Sequence, residues 1–531
     1  MTAAMDSARR RWPWWVAVPA LGGLVGYPLV RLTVESVVAG APLGVVWEGI
    51  RTPFANTIGS SLVAASLAVL VGLAGALAVE RAAGGALLHA VMLLPLLVPP
   101  FVSAIGWARA FGPTGLMDDA TGLAADWIEG GWGVAVVIAV NAVPITYLVL
   151  RSALRTRVGP SLLAAAAVSG ASRRRALVTI SVPLLRPALV AAFGLAFVFG
   201  ANSFGVPAVL GTPAGFGTVT TRIYQDLLRA ADPEVFARVL GSAMLLVVLA
   251  ALVVGTTDAA GGWRAGAVPA GRSMPGGRSR WAAAAVWAFA VVSSGLPLLA
   301  IVLAALTRAP GLAPVPGNWT TANFGTALAG RGAGAFATSL VLAVTAATVV
   351  VGLGGVSAAM SRGGRGGRLF GSATILGFAV PGSALAVAIG LGYGGLIREG
   401  FVLILLAYLA KFWALGHRTI SGSVAGLSTA PLMAARVSGA GPRAVLATIA
   451  VPLLAPALLA AWVIVFLFGF HELTMSSLLY APGSETLAVV VLNLAQLGDV
   501  GGTAALAVLL TGAVATGALV GYGGWRAVGR R

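Results

Sequence analysis

Twelve stretches of roughly 20 mostly apolar residues follow one another along this 531-residue chain. A helix needs about that length to cross the hydrocarbon core of a bilayer, so each stretch is a candidate spanning helix. Only 9% of the residues are charged, against about 25% in a soluble protein. The sequence therefore predicts an all-α, polytopic membrane protein. The predicted spans lie near residues 13–34, 55–79, 86–109, 132–150, 184–204, 236–256, 281–306, 335–360, 370–395, 400–416, 452–470 and 502–524.

The basic residues cluster between the apolar runs and predict the orientation. If the N-terminus lies in the cytoplasm, the cytoplasmic segments carry 25 Arg or Lys and 3 Asp or Glu, and the outer segments carry 9 and 13, which accounts for all 34 basic and 16 acidic residues. A cytoplasmic excess of Lys and Arg sets the orientation of membrane proteins. We predict a multi-pass protein of the plasma (inner) membrane with both termini in the cytoplasm. This pattern favours lipid over nucleic acid as the reason for the net charge of +18.

The two halves of the chain repeat each other at an offset of 269 residues. Val168-Ser169-Gly170-Ala171 matches Val437-Ser438-Gly439-Ala440, and Gly26-Tyr27-Pro28-Leu29 aligns with Gly295-Leu296-Pro297-Leu298. Ser61-Leu62 and Ser339-Leu340 match at 278, which predicts insertions in the outer loops. Six spans per copy give two parallel repeats related by an axis along the membrane normal. We predict a first half at 1–258 with its core at 55–256, a cytoplasmic linker at 259–280, and a second half at 281–531 with its core at 335–524.

The repeat also bears on the start of the chain. Arg9 to Arg11, an apolar run and Ala39-Gly40-Ala41 could be read as a cleaved signal peptide. The run is longer than the usual apolar region of a signal peptide, and it has a counterpart in the second half. We therefore favour a first spanning helix.

The best-matched stretch is a cytoplasmic loop, at 161–183 in the first half and 430–452 in the second. In each copy, helix-forming residues precede a glycine, Gly170 or Gly439, which is expected to bend the chain before a second helix. Pro183 and Pro452 lie where the chain re-enters the membrane. Two protruding helix–bend–helix segments suit docking to two copies of a cytoplasmic partner.

These loops resemble the EAA loop of type I ABC importer permeases, whose pattern is Glu-Ala-Ala, three residues, then Gly. Ala165, Ala166 and Gly170 match it in the first copy, and Ala434, Ala435 and Gly439 in the second. Arg173 and Arg443 follow the bends. The glutamate of the pattern falls on Ala164 and Met433, so an ion pair made from it cannot form here.

The resemblance implies the type I importer permease fold and a set of partners. In that family the loop is the coupling helix that docks on an ATP-binding subunit, which would be present in two copies and would bind ATP and Mg²⁺. An extracytoplasmic solute-binding protein would deliver the cargo. This chain has no P-loop and no catalytic constellation, so we predict no enzyme activity and no cofactor of its own.

The cargo predicted from the resemblance is ferric iron. Thr221-Arg222-Ile223-Tyr224 and Glu485-Thr486-Leu487-Ala488 resemble the fused ferric permeases. Permeases for thiamine, polyamines or phosphonates are the alternatives. With three His and no Cys in the chain, we predict no stable metal site, so the permease would supply a gated path.

Four polar residues are candidates for the lining of that path: Asn202, Ser203, His471 and Glu472. The alternative is that they cap helix ends. Asn141 is expected to form an interhelical hydrogen bond, and Glu80 a local ion pair with Arg81.

Two other classes remain open at this point. A secondary transporter can also have two six-span repeats, but it would usually place ionisable groups in its spans and needs no paired docking loops. No residue constellation favours a membrane-bound enzyme.

Overall fold

The computed structural model describes residues 14–39, 43–82, 84–158, 160–259, 279–362 and 364–529. Ten of its helices are long and apolar enough to cross a membrane. The predicted short span at 400–416 is part of a full-length helix, Gly400–Gly426. The ten helices are Trp14–Val38, Val46–Arg81, Gly131–Arg157, Val178–Ala201, Pro233–Thr257, Arg280–Leu306, Ala322–Ser361, Gly400–Gly426, Pro442–Phe470 and Val500–Val528.

Shorter helices connect these ten, and the described residues contain no β-strand. The predicted all-α, polytopic architecture is confirmed. Arg9 to Arg11 and most of the predicted linker, residues 260–278, lie outside the described residues. The principal shorter helices are Gly85–Val91, Pro100–Phe111, Leu116–Thr121, Pro160–Val168, Val219–Leu227, Gly364–Ala379, Gly382–Tyr393, Ala430–Val437, Thr474–Leu479 and Leu487–Gln496.

The third predicted span of each half is broken rather than continuous. In the first broken span, 85–111, a 3₁₀ turn and an extended Pro99 separate two helices. In the second, 364–393, Pro381 takes the same extended conformation, with φ −56° and ψ 139°. Proline cannot donate a backbone hydrogen bond and biases the preceding residue away from helix, so both breaks follow from the sequence.

Local irregularities recur in the two halves and confirm the repeat. A π-helical turn occupies Gly22–Gly26 and again Val291–Gly295, and a second occupies Leu177–Ser181 and again Leu446–Ala450. Both pairs keep the offset of 269. Such turns are rare within α-helices, so their recurrence at one offset indicates that the two halves share a common architecture.

The structure corrects the register of the second span. Thr57 Oγ1 accepts a hydrogen bond from Val219 N at 2.9 Å, and Ser339 Oγ accepts one from Leu487 N at 2.8 Å. Thr57 and Ser339 are therefore equivalent, at an offset of 282. The predicted match of Ser61 with Ser339 at 278 is wrong, because a short Ser-Leu pair occurs by chance in apolar helices.

Contacts divide the chain into two compact units that exchange their first spans. The first-half unit comprises the described parts of residues 41–330 with 491–511, and the second-half unit those of 1–40, 331–490 and 512–531. The predicted halves follow the sequence repeat, whereas these units follow packing, so the predicted domain boundaries stay a prediction.

Matching contacts fix each exchanged span. In the second-half unit, Tyr27 Oη donates to Gly392 O at 3.2 Å and Tyr393 Oη donates to Gly23 O at 2.7 Å. In the first-half unit, Trp107 Nε1 donates to Ser293 O at 3.2 Å. In both units the exchanged first span therefore packs on the second helix of a broken span.

Candidate functional site

The first coupling segment, residues 160–181, is a short helix, a bend and a second helix. The helix Pro160–Val168 ends at Gly170, whose φ is +78°. Ala171 N donates to Ala166 O at 2.9 Å and closes the helix end. An L-residue with a side chain is strained at this φ, so the sequence needs glycine here.

The second coupling segment, residues 430–450, has the same geometry. Its helix Ala430–Val437 ends at Gly439, whose φ is +84°. Ala440 N donates to Ala435 O at 3.0 Å, the bond equivalent to the one in the first segment. Two chemically different sequences thus build one shape at the same offset.

Both segments expose apolar side chains at their ends. Val168 is 91% exposed and Val437 is 89% exposed, and each lies two residues before the glycine of its bend. Met433, at the position of the missing glutamate, is also exposed. An exposed apolar side chain therefore recurs at the same place in both segments, neither of which contains a carboxylate.

The predicted arginines lie in the second part of each segment, and the predicted prolines follow directly after it. Pro183 and Pro452 each lie just after a π-helical turn, inside the continuous helices Val178–Ala201 and Pro442–Phe470. The wider π-helical turn precedes the position where proline removes a backbone N–H. Arg443 is exposed in the helix Pro442–Val445. The side chain of Arg173 lies outside what the structure describes.

The four candidate path residues follow the same two helices. Asn202 and Ser203 end Val182–Ala201 in the first-half unit, where Ser203 O accepts from Thr220 Oγ1 at 2.7 Å. His471 and Glu472 end Val451–Phe470 in the second-half unit. All four are half-buried.

Glu472 has the capping role that the sequence offered as an alternative. Its carboxylate accepts from Met475 N at 2.8 Å and from Ser476 N and Oγ at 3.0 Å each. A carboxylate at a helix N-terminus satisfies free N–H groups and opposes the positive end of the helix dipole. Its role in a path stays a prediction.

Two further expectations can be compared with geometry. Asn141 Nδ2 donates to Ser103 Oγ at 3.2 Å, the interhelical bond that was predicted. The predicted pair of Glu80 with Arg81 is wrong. Glu80 Oε1 instead accepts from Arg151 Nε at 2.9 Å and from Arg155 Nε at 2.8 Å, because Glu80 is buried against the neighbouring helix that carries both arginines.

A pocket of about 490 Å³ lies in the first-half unit. It is lined by Arg109 and Arg308 together with Asp119 and Asp499. The lining thus contains two basic and two acidic side chains. Among the described residues no group of three or more His, Cys, Asp or Glu could hold a metal ion.

Sequence reasoning missed the surroundings of Lys411. This residue interrupts an apolar run and is the chain's single lysine, which was the available signal. The structure brings it to the break in the second broken span, where its Nζ donates to Val380 O.

Comparisons with known proteins agree with this geometry. Residues 66–257 match the family model described as binding-protein-dependent transport system inner membrane component. The molybdenum transport system permease protein ModB of Mycobacterium tuberculosis is 32% identical over 256 residues, which cover 46% of this chain and 92% of that protein.

Two other relatives match over shorter stretches. The ferric transport system permease protein FbpB of Actinobacillus pleuropneumoniae is 30% identical over 167 residues, 30% of this chain and 24% of that protein. The putrescine transport system permease protein PotI of Escherichia coli K12 is 30% identical over 146 residues, 28% of this chain and 51% of that protein.

Proposed function

The chain belongs to the family of inner membrane components of binding-protein-dependent transport systems, the permeases of ABC importers, and on this premise we propose that its two coupling segments dock two copies of a cytoplasmic ATP-binding subunit. ATP binding to those subunits moves the coupling segments, and the permease alternates access to the two sides of the membrane. An extracytoplasmic binding protein delivers the cargo.

The observation that carries the docking proposal is the paired shape of the coupling segments. Each has a glycine at positive φ, the same closing hydrogen bond and an exposed valine. Since the glutamate is absent from both, contact with the ATP-binding subunit rests on packing of small and apolar side chains. Nearby arginines, such as Arg175 and Arg436, add positive charge.

Substitution at the bends tests this proposal. Gly170→Val and Gly439→Val would each strain a φ near +80° where the new side chain meets no neighbour within 4 Å. We expect each variant to lose one of two ATP-binding subunits from the purified complex, measured by its mass, and to lose ATP-dependent uptake.

Gly311→Val is the matched control. Gly311 also has a positive φ, +83°, and open space around it, but it lies in a predicted outer loop. It should keep both subunits. An ATP-binding subunit that fails to co-purify with the parent chain, or that binds the two bend variants as well as the parent, would contradict the docking proposal.

For the cargo we propose ferric iron, with molybdate as the second candidate. Ferric iron is supported by the sequence motifs that resemble ferric permeases and by the FbpB match. Molybdate is supported by the ModB match, which extends over 92% of that protein. Either ion would be selected by the binding protein.

Uptake of radiolabelled ferric citrate, molybdate and putrescine, each offered separately to a deletion strain with and without the chain, separates the candidates. Iron uptake that depends on the chain and is not reduced by excess molybdate supports the first. Uptake of molybdate alone overturns the iron assignment, and uptake of putrescine alone overturns both.

A further inference from the structure

The single lysine of the chain lies close to the middle of a membrane-spanning helix. Lys411 belongs to Gly400–Gly426 and is partly buried in the second-half unit. A charged side chain at this depth is costly, so it persists where it has partners and a function. The docking and cargo proposals make no use of it.

One partner of Lys411 is the backbone at the break in the second broken span. Its Nζ donates to Val380 O, which lies between the helix Gly364–Ala379 and Pro381. Carbonyls at a helix C-terminus have no intrahelical donor and carry partial negative charge. Non-helical backbone at membrane depth is tolerated only where its polar groups are satisfied within the protein. Lys411 supplies that donor.

A second charged residue, Glu472, is linked to the same helix by hydrogen bonds, since its carboxylate accepts from Ser476 Oγ at 3.0 Å. Glu472 also holds the N-terminus of Thr474–Leu479 through its bonds to Met475 N and Ser476 N. Ser476 Oγ lies 2.8 Å from Tyr408 Oη, and Tyr408 stands one helical turn before Lys411 on the same helix. Glu472 is thus connected through Ser476 and Tyr408 to the helix that carries Lys411.

Together these groups form an array of alternating charge. The negative end of one helix meets Lys411. Glu472 caps the positive end of another helix and is linked through Ser476 and Tyr408 to the helix of Lys411. At an offset of 269 the first half has Ala142 in place of Lys411 and Ser203 in place of Glu472. The array is a property of the second half alone.

We propose that Lys411 is a positioning residue for transport, which fixes the two helices of the second broken span at their break and is neutralised there by Glu472. It acts through the backbone and touches no cargo. The transport role rests on the permease function proposed above, whereas the charge pair itself does not.

A double-mutant cycle tests the proposal, with Lys411→Met, Glu472→Gln, the double variant and Lys411→Arg made in the full complex. Each charge-removing single variant should lower uptake at least about 10-fold, because a buried charge left without its partner is more costly than an absent pair. The double variant should transport better than the product of the two single losses predicts. Lys411→Arg should keep most of the uptake.

Two more readouts separate positioning from stability. The ratio of binding-protein-stimulated to basal ATP hydrolysis should fall in Lys411→Met and not in Arg418→Met, which removes a positive charge from the same helix away from the break. If all losses of uptake merely follow the midpoint of thermal unfolding, Lys411 stabilises the fold and positions nothing.

If the effects of Lys411→Met and Glu472→Gln are independent of each other, the proposed charge pair is wrong. Thermal unfolding of the purified permease gives a second cycle that needs no cargo, so the pair is still tested if the parent imports none of the ions offered. If the two substitutions are coupled in thermal unfolding but the parent chain shows no uptake, the charge pair is supported and the proposed function is overturned.

Discussion

The first half of the chain pairs a buried carboxylate, Glu80, with two arginines near the end of a long helix, whereas the second half places a lysine, Lys411, at the break in a span. The position equivalent to Glu80 is Arg362, and the equivalents of Arg151 and Arg155 are Ile420 and Val424. Ile420 and Val424 pack with Ala358 and Ala461 in an apolar cluster. One backbone plan thus accepts either buried charge or apolar packing at the same place, provided that each buried charge has a partner.

The largest effect is expected where the halves differ most. Glu80→Gln leaves two arginines beside a buried position, since the Glu80 side chain is only 6% exposed. We expect the free energy of unfolding to fall by about 3 kcal/mol, measured by thermal unfolding in detergent. Arg362→Gln, at the equivalent exposed position, should change it by less than about 0.5 kcal/mol. Equal losses would show that the first-half cluster is not a distinct stabilising feature.

The next effect tests a close contact between helices that occurs at Gly72 in the first half and at Gly354 in the second. A Cβ added to Gly354 would lie 2.8 Å from Gly416 C and 2.9 Å from His417 N, both backbone atoms. Gly354→Ala should therefore cost about 2 kcal/mol of stability, as overpacking does. Gly352 and Gly355 on the same helix have open space, so alanine there should cost nothing measurable. If Gly354→Ala does not change the stability, the inferred close approach of these two helices is wrong.

A smaller effect tests the corrected register of the second span. Thr57→Val and Ser339→Ala each remove the oxygen that accepts from a backbone N–H, of Val219 and Leu487 respectively. Each should lower the free energy of unfolding by about 1 kcal/mol. Similar losses from the two variants support the offset of 282. A loss from one alone would mean that the two hydroxyl groups are not equivalent.

The smallest effect is expected from a substitution that gives the first half the same residue as the second half at one position. Asn141 corresponds to Ala410, and Asn141→Ala removes the bond to Ser103 Oγ. Interhelical hydrogen bonds in membranes average about 0.6 kcal/mol, and the unfolding midpoint should fall accordingly. Ser103→Ala should have the same effect, and the double variant should lose no more than either single one. Additive losses would contradict a direct bond.

The sequence predicted the number and place of the apolar segments because burial in lipid needs only length and composition. It also located both glycine bends, since repetition at one offset separates Gly170 and Gly439 from the many other glycines. The breaks at Pro99 and Pro381 were visible as prolines, but the surrounding apolar residues suggested continuous spans.

Partners distant along the chain were harder to predict. Glu80 was assigned to adjacent Arg81, although its partners lie about 70 residues away on another helix. Lys411 stood out as the single lysine, yet its contact with Val380 depends on where a break exposes a carbonyl. Such contacts arise from tertiary packing, which hydrophobic periodicity does not encode.

The exchange of first spans has a consequence for biogenesis. Tyr27 and its acceptor Gly392 are separated by 365 residues. At synthesis rates of about 5 to 20 residues per second, the first helix waits roughly 20 to 70 s in the bilayer before its partner is made. During that interval the helix must depend on lipid or on membrane chaperones, so premature termination in the second half would leave an orphaned N-terminal helix as a target for proteolytic quality control.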